Sequence, residues 1–191
     1  MRPSNNFYLE LTTEIQRRFT IIKENLIRLE DHDELEEFSL NSLSLLFSRK
    51  DKETQGTKAY FQPDDYNDMN YIVYLLDINM GYELKSTIYH EICHFLCRKY
   101  LNIKNRTHCL EFAIVCYAIS ARYDHYETPF FLKSEDICED RAFPFLKINL
   151  SQFDNFITVI EFNSIRQLMS KAKALATEIR KTSVPLKLYD N

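Results

Sequence analysis

The stretch LKSTIYHEICHFLCRKYL, residues 84–101, decides how the fold is interpreted. Mostly apolar side chains recur in it at steps of three and four, as on one face of an α-helix: Leu84, Ile88, Ile92, Phe95 and Lys99. Two histidines, followed by Cys97 and Leu101, mark a second face. The pattern predicts a helix that packs one face on the core, directs the histidines toward a cleft and ends at Asn102.

The run His90-Glu91-Ile92-Cys93-His94 combines residue types that bind and use a metal ion. Histidines four positions apart project from one helix face, so both imidazoles can reach a single ion at about 2.0–2.1 Å. Glu91 is turned by about 100° from His90 around the helix axis, which keeps its carboxylate outside the coordination sphere. We therefore predict a Zn²⁺ cofactor, His90 and His94 as ligands, and Glu91 as the catalytic base acting on a zinc-bound water.

A third protein ligand must come from elsewhere, because a catalytic zinc takes three protein ligands and one water. Three candidates follow His94 after thirteen intervening residues (95–107), at the start of the next predicted helix: His108, Cys109 and Glu111. This spacer is long enough to turn the chain and lay the second helix beside the first. The residue types alone leave all three candidates open.

The two segments together resemble the SprT-like (Spartan-type) zinc metallopeptidase domain. Its pattern is HExxH, a spacer of similar length, then HGxE and an aromatic residue; here residues 90–94 and His108-Cys109-Leu110-Glu111-Phe112 match, with cysteine in place of the glycine. Residues 47–49, 57–61 and 71–75 resemble the strands that precede the active-site helix in that family. The resemblance covers roughly residues 10–123 and implies an α+β peptidase domain with His108 as the third zinc ligand.

Two other interpretations predict different sites. ImmA/IrrE-type regulatory peptidases also carry HExxH, followed by a helix with an acidic third ligand beside an alanine-rich run, and residues 111–118 resemble that helix with Glu111 as the ligand. A third interpretation is a non-catalytic, zinc-stabilised interaction module. It predicts a closed site with four protein ligands, for which Cys109 or Cys97 would supply the fourth donor.

Hydrophobic periodicity predicts the remaining elements. Apolar residues from Ile15 to Leu29 at steps of three and four indicate a helix from Thr13 onward, and similar patterns indicate helices at about 110–123 and 164–181. Apolar runs at 43–48, 57–62 and 71–77 predict three strands in an antiparallel sheet or meander. The last run is apolar on both faces and is expected to be central.

The predicted fold class is therefore α+β. A short, mainly antiparallel sheet packs on the HExxH helix, as in a minimal gluzincin-like metallopeptidase, and a C-terminal helix is added. The length of 191 residues suits a single metallopeptidase domain over 1–191. We expect its catalytic core at 10–123 and a C-terminal extension at 124–191 packed on that core.

Composition excludes several other classes. Two glycines are too few for a P-loop or a dinucleotide fingerprint. The sequence contains no run of eighteen apolar residues and no secretory signal, so we expect a cytoplasmic protein without a membrane span. Five cysteines without a CxxC pair indicate reduced thiols. A net charge of -4 does not attract nucleic acid, which is suggested only by the family resemblance. The expected substrate is a protein or peptide.

Overall fold

The computed structural model describes residues 5–30, 40–49, 59–64, 69–76, 84–103, 108–123 and 161–182. Within them the chain forms helix α1 (Asn5–Ile27), a short 3-10 turn (Leu40–Ser42), strands β1 (Leu43–Arg49), β2 (Ala59–Asp64) and β3 (Met69–Leu76), and helices α2 (Leu84–Leu101), α3 (Leu110–Tyr123) and α4 (Ile165–Thr182). The predicted α+β class is confirmed. Most of the predicted extension, at 124–160 and 183–191, lies outside the described residues, as does Cys138.

Contacts within the chain divide it into two compact units, Met1–Phe95 and Leu96–Asn191. The first contains α1, the sheet and α2 as far as Phe95, and the second contains the end of α2 together with α3 and α4. The division falls inside one continuous helix. None of the helices in the described ranges is both long and apolar enough to cross a membrane.

The sheet has the strand order β1-β3-β2, so β3 is central as predicted. It pairs antiparallel with β2, where Phe61 lies opposite Ile72, and parallel with β1, where Leu45 lies opposite Ile72. The prediction of a mainly antiparallel sheet is therefore wrong, because the sheet is mixed. Residues 72–75 of β3 are all buried, and a strand covered on both faces gains most from two neighbours. Strand β3 therefore lies between β1 and β2, and it runs in the same direction as β1.

Helix α1 buries four residues of the predicted apolar stripe, Ile15, Phe19, Ile22 and Leu26. The fifth, Leu29, follows the end of the helix and is half-buried. The helix begins at Asn5, earlier than expected. At its other end, Lys23 Nζ donates hydrogen bonds to the carbonyl oxygens of Asn41 at 3.2 Å and Leu43 at 2.7 Å. These bonds connect the helix to the start of β1.

Helix α2 matches its predicted limits but is less one-sided than its sequence pattern suggests. Residues 87–97 are buried except His90, which is half-buried, so the face that carries the histidines is covered as well. The few charged side chains on that face make such burial possible. In the first unit, the rings of Phe61 on β2 and Phe95 on α2 meet edge to face with centroids 6.0 Å apart.

The end of α2 is set by Asn102, as predicted. This residue has a φ of 54°, in the left-handed region that asparagine tolerates better than most residues. The backbone N–H of Ile103 then donates to the carbonyl of Cys97 at 3.3 Å, which holds the chain after Asn102 against the end of the helix.

Helices α3 and α4 agree with their predicted limits and pack against each other. Ser164 caps α4 because its Oγ accepts a hydrogen bond from the backbone N–H of Gln167 at 3.2 Å. The side chain of Gln167 accepts in return from the N–H of Asn163 at 2.7 Å. Small buried residues, Ala172 and Ala176, lie on the packed face of α4.

Strand β1 offers a matched test of this core, because Leu43 is 0% exposed and Leu46 is 45% exposed. We expect Leu43→Ala to lower the free energy of unfolding by about 2–5 kcal/mol through lost burial and an unfilled cavity. The same change at Leu46 should cost within about 1 kcal/mol. Urea unfolding followed by circular dichroism measures both values, and equal losses would contradict the assigned orientation of β1.

Candidate metal centre

His90 and His94 approach each other on α2 as their spacing predicts. Their Nε2 atoms are 3.1 Å apart, and the ring centroids are 4.8 Å apart at an interplanar angle of 81°. In a tetrahedral site with ligands at about 2.05 Å, neighbouring ligand atoms lie about 3.3 Å apart. The pair therefore already has nearly the separation that one shared ion requires. His94 is 7% exposed, so it presents its ring inside the protein rather than to bulk water.

The structure brings His108 to the same pair. The ligand atoms of His90, His94 and His108 all lie within 4.8 Å of one another, and the three residues form a group that could hold a metal ion. Within the described part of the chain, this group includes no thiol and no carboxylate. Three imidazole nitrogens are a donor set that suits several divalent transition metals.

The position of His108 follows from how α3 begins. The N–H of Ala113 donates to the carbonyl of Cys109 at 3.0 Å, so Cys109 is the N-cap and His108 is the residue just before it. The His108 ring stacks on Phe112, with centroids 5.0 Å apart and an interplanar angle of 29°. Contact between the residue before the cap and the first turn fixes the direction in which the chain enters a helix.

Cys109, at the position where the SprT-like pattern has glycine, has an unstrained backbone. Among the described non-glycine residues, a positive φ occurs only at Asn102, so the start of α3 needs no glycine. The Cys109 side chain is buried, and this burial is the main reason that the pKa of its thiol is raised to about 11. A hydrogen bond to the backbone of Phe112 acts in the opposite direction, and the nearby charge of Glu111 raises the pKa further.

Glu111, the alternative third ligand, is engaged by an arginine. Arg180 on α4 donates from Nη1 to Oε1 at 2.5 Å and from Nη2 to Oε2 at 2.7 Å. Burial opposes the charge of Glu111, but the hydrogen bonds and charge of Arg180 outweigh it, and the net result is a pKa below the ordinary value of the carboxyl group. Both carboxylate oxygens of Glu111 therefore accept hydrogen bonds from the Arg180 guanidinium.

Glu91 lies between the two α2 histidines in sequence and is 5% exposed. Its charge acts on the hydroxyl of Tyr74 in β3. Burial is the main factor that raises the pKa of Tyr74 to about 12; a hydrogen bond with Thr87 and the charge of Arg18 lower it, while Glu91 raises it. Thr87 precedes Glu91 by one helical turn, so both lie on the same side of α2.

Sequence reasoning selected the three histidines and Glu91 but not Tyr74 or Arg180. Tyr74 is one of twelve tyrosines, and only its hydrogen bond with Thr87 shows that it faces α2. Arg180 is separated from Glu111 by 69 positions, so no local spacing connects them. A basic residue in the last turn of a helix is common, since it interacts favourably with the helix dipole, and gives no signal of a specific partner.

Comparison with known proteins adds no relative. No protein-family model, curated protein or solved structure matches the chain. The three histidines and their surroundings are therefore the observations that indicate a metal centre.

The lowered pKa of Glu111 predicts how stability depends on pH. Its ionised form is favoured in the folded state, so its contribution is complete above the ordinary pKa of 4.5 and is lost as the pH falls through the lower folded value. We expect Glu111→Gln to destabilise the metal-free protein by about 1–3 kcal/mol at pH 7. The difference should shrink below pH 4.5, the ordinary pKa.

Urea unfolding of both proteins from pH 7 to pH 3, with a chelator present, measures this difference. Glu178→Gln, at an exposed position of α4, controls for the loss of one carboxylate. A stability difference between wild type and Glu111→Gln that stays constant across this range would show that the Arg180 contact does not favour the ionised carboxylate.

Proposed function

We propose that the protein is a zinc-dependent metallopeptidase, with His90, His94 and His108 holding the ion and Glu91 as the catalytic base. One observation carries the proposal: three imidazoles have their ligand atoms within 4.8 Å of one another, and a buried carboxylate lies between two of them in sequence. This is the residue set that the HExxH motif and a third ligand supply in zinc metalloproteases.

The donor set supports zinc and an open coordination position. Imidazole nitrogens are common zinc ligands, and catalytic zinc sites use three protein ligands where structural sites use four. A zinc ion held by these residues would lower the pKa of a water ligand and polarise the carbonyl of a substrate. The rival interpretation, a closed structural site, needs a fourth protein donor, and the described residues contribute only three histidines to the group.

Glu91 would carry the proton transfers. Its carboxylate takes one proton from the attacking water while the remaining hydroxyl adds to the carbonyl carbon of the scissile bond. It then delivers that proton to the amide nitrogen as the C–N bond breaks, which gives a carboxylic acid and an amine. The low exposure of Glu91, 5%, keeps bulk water from competing for this proton.

The sheet offers a way to hold a protein or peptide substrate. Within the described residues, β1 and β2 each have β3 as their one strand neighbour, so each has an outer edge of main-chain donors and acceptors. An extended peptide can add to such an edge by main-chain hydrogen bonding, which is largely independent of its sequence.

Replacing the base tests the mechanism. We expect Glu91→Gln to lower the rate of cleavage of an unfolded protein substrate by about 10²–10⁴-fold, because the amide cannot accept the proton from water. The zinc content, measured by atomic emission, should stay at the wild-type level because the three histidines are unchanged. Retained turnover in this variant, free of wild-type contamination, would contradict the role of Glu91.

The third ligand is tested by comparing two substitutions. We expect His108→Ala to weaken zinc binding by more than about 100-fold, which exceeds the usual effect of a residue outside the coordination sphere. Glu111→Ala should cause a smaller loss, since its carboxylate pairs with Arg180. Titration against a chromophoric chelator measures both affinities. The reverse order of losses would favour the ImmA/IrrE-type site with Glu111 as the ligand.

A further inference from the structure

Helices α3 and α4 are joined at both of their ends. Near the start of α3, Glu111 receives the two hydrogen bonds from Arg180, in the last turn of α4. Near the end of α3, Arg122 donates to the carbonyl of Phe162, just before α4, and its guanidinium lies 4.6 Å from the centroid of the Phe162 ring. The two helices therefore run in opposite directions, with hydrogen bonds between them at each end.

The ion pair between Glu111 and Arg180 has a specific geometry, and the position of each charge on its helix is favourable. Two parallel N–H donors on two carboxylate oxygens fix the relative orientation of both groups, which a lysine could not do. A carboxylate in the first turn of α3 and a guanidinium in the last turn of α4 each interact favourably with their own helix dipole. The side chains of Arg180 and Glu111 are 25% and 15% exposed, so solvent screens the pair less than it screens a surface pair.

Glu111 belongs to the same helical turn that supports His108. Cys109 caps this turn, and Phe112, the residue after Glu111, stacks on the His108 ring. Fixing the Glu111 carboxylate therefore restrains the backbone and the aromatic surface on which the imidazole rests. No side chain of α4 is needed in the coordination sphere for this effect.

We infer that Arg180 is a positioning residue: through Glu111 it holds the first turn of α3 so that His108 points to the other two histidines. The consequence for zinc rests on the proposed function, whereas the orientation of His108 does not. If the ion pair only stabilised the packing of α3 on α4, its loss would lower the free energy of unfolding without changing the placement of the His108 ring.

Zinc affinity of the full chain gives the first test. We expect Arg180→Gln to weaken zinc binding by about 10–100-fold, the usual effect of a residue that orients a ligand. Lys181→Gln, the same loss of charge at an exposed neighbouring position, should leave the affinity unchanged. In a His108→Ala background, Arg180→Gln should cause no further loss, because the two changes act on one ligand. Additive losses, or equal affinities for Arg180→Gln and wild type, would overturn the inference.

Nuclear magnetic resonance of metal-free protein labelled with ¹⁵N in histidine gives a second test that needs no ion. Arg180→Gln should shift or broaden the ring resonances of His108, while Lys181→Gln should not. Arg180→Lys keeps the charge but not the paired donors, so its effect on the His108 resonances should lie between those of wild type and Arg180→Gln. It replaces Arg180→Gln in this test if that variant does not fold. Should wild type bind no zinc, the proposed function fails, and unmoved His108 resonances would separately overturn the role of Arg180.

Discussion

The convergence of three imidazole rings on one point is the constraint on which the rest of this structure depends. Burying polar side chains costs free energy unless each finds a partner, and α2 buries both His94 and Glu91 among residues that are otherwise mainly apolar. A divalent cation shared by the three rings would offset part of that cost. Such a site also makes metal binding and folding thermodynamically coupled, because the unfolded chain does not hold the ligands together.

Local features at helix ends then determine where the third ring lies. Asn102 terminates α2 in a left-handed conformation, and Cys109 starts α3 as its cap, so the direction of the chain is set at both of these points. The stacking of His108 on Phe112 fixes the ring itself. Each feature contributes little stability, about 1 kcal/mol for a typical cap, yet together they orient His108, which lies outside any regular element.

Much of this could be predicted from sequence, and the failures share a cause. The limits of α2, α3 and α4 follow from local periodicity and capping, and the pairing of His90 with His94 follows from their spacing on one helix. The residue types leave three candidates open for the third position, and His108 is indicated by the family resemblance. The central place of β3 could be predicted from its apolar residues on both faces, but the parallel direction of β1 could not, because apolar patterning does not encode strand direction. The covered histidine face of α2 and the partner of Glu111 likewise depend on tertiary packing, which no short window of sequence contains.

The contact between Arg122 and Phe162 also affects how the helix pair α3 and α4 can open locally. It brings together the points where the chain leaves α3 and enters α4, although the two residues are 40 positions apart. Together with the pair of Glu111 and Arg180, it places a polar contact between the two helices at each of their ends. Local opening at either end of α3 therefore breaks a contact with α4, so the two helices do not fray independently of each other.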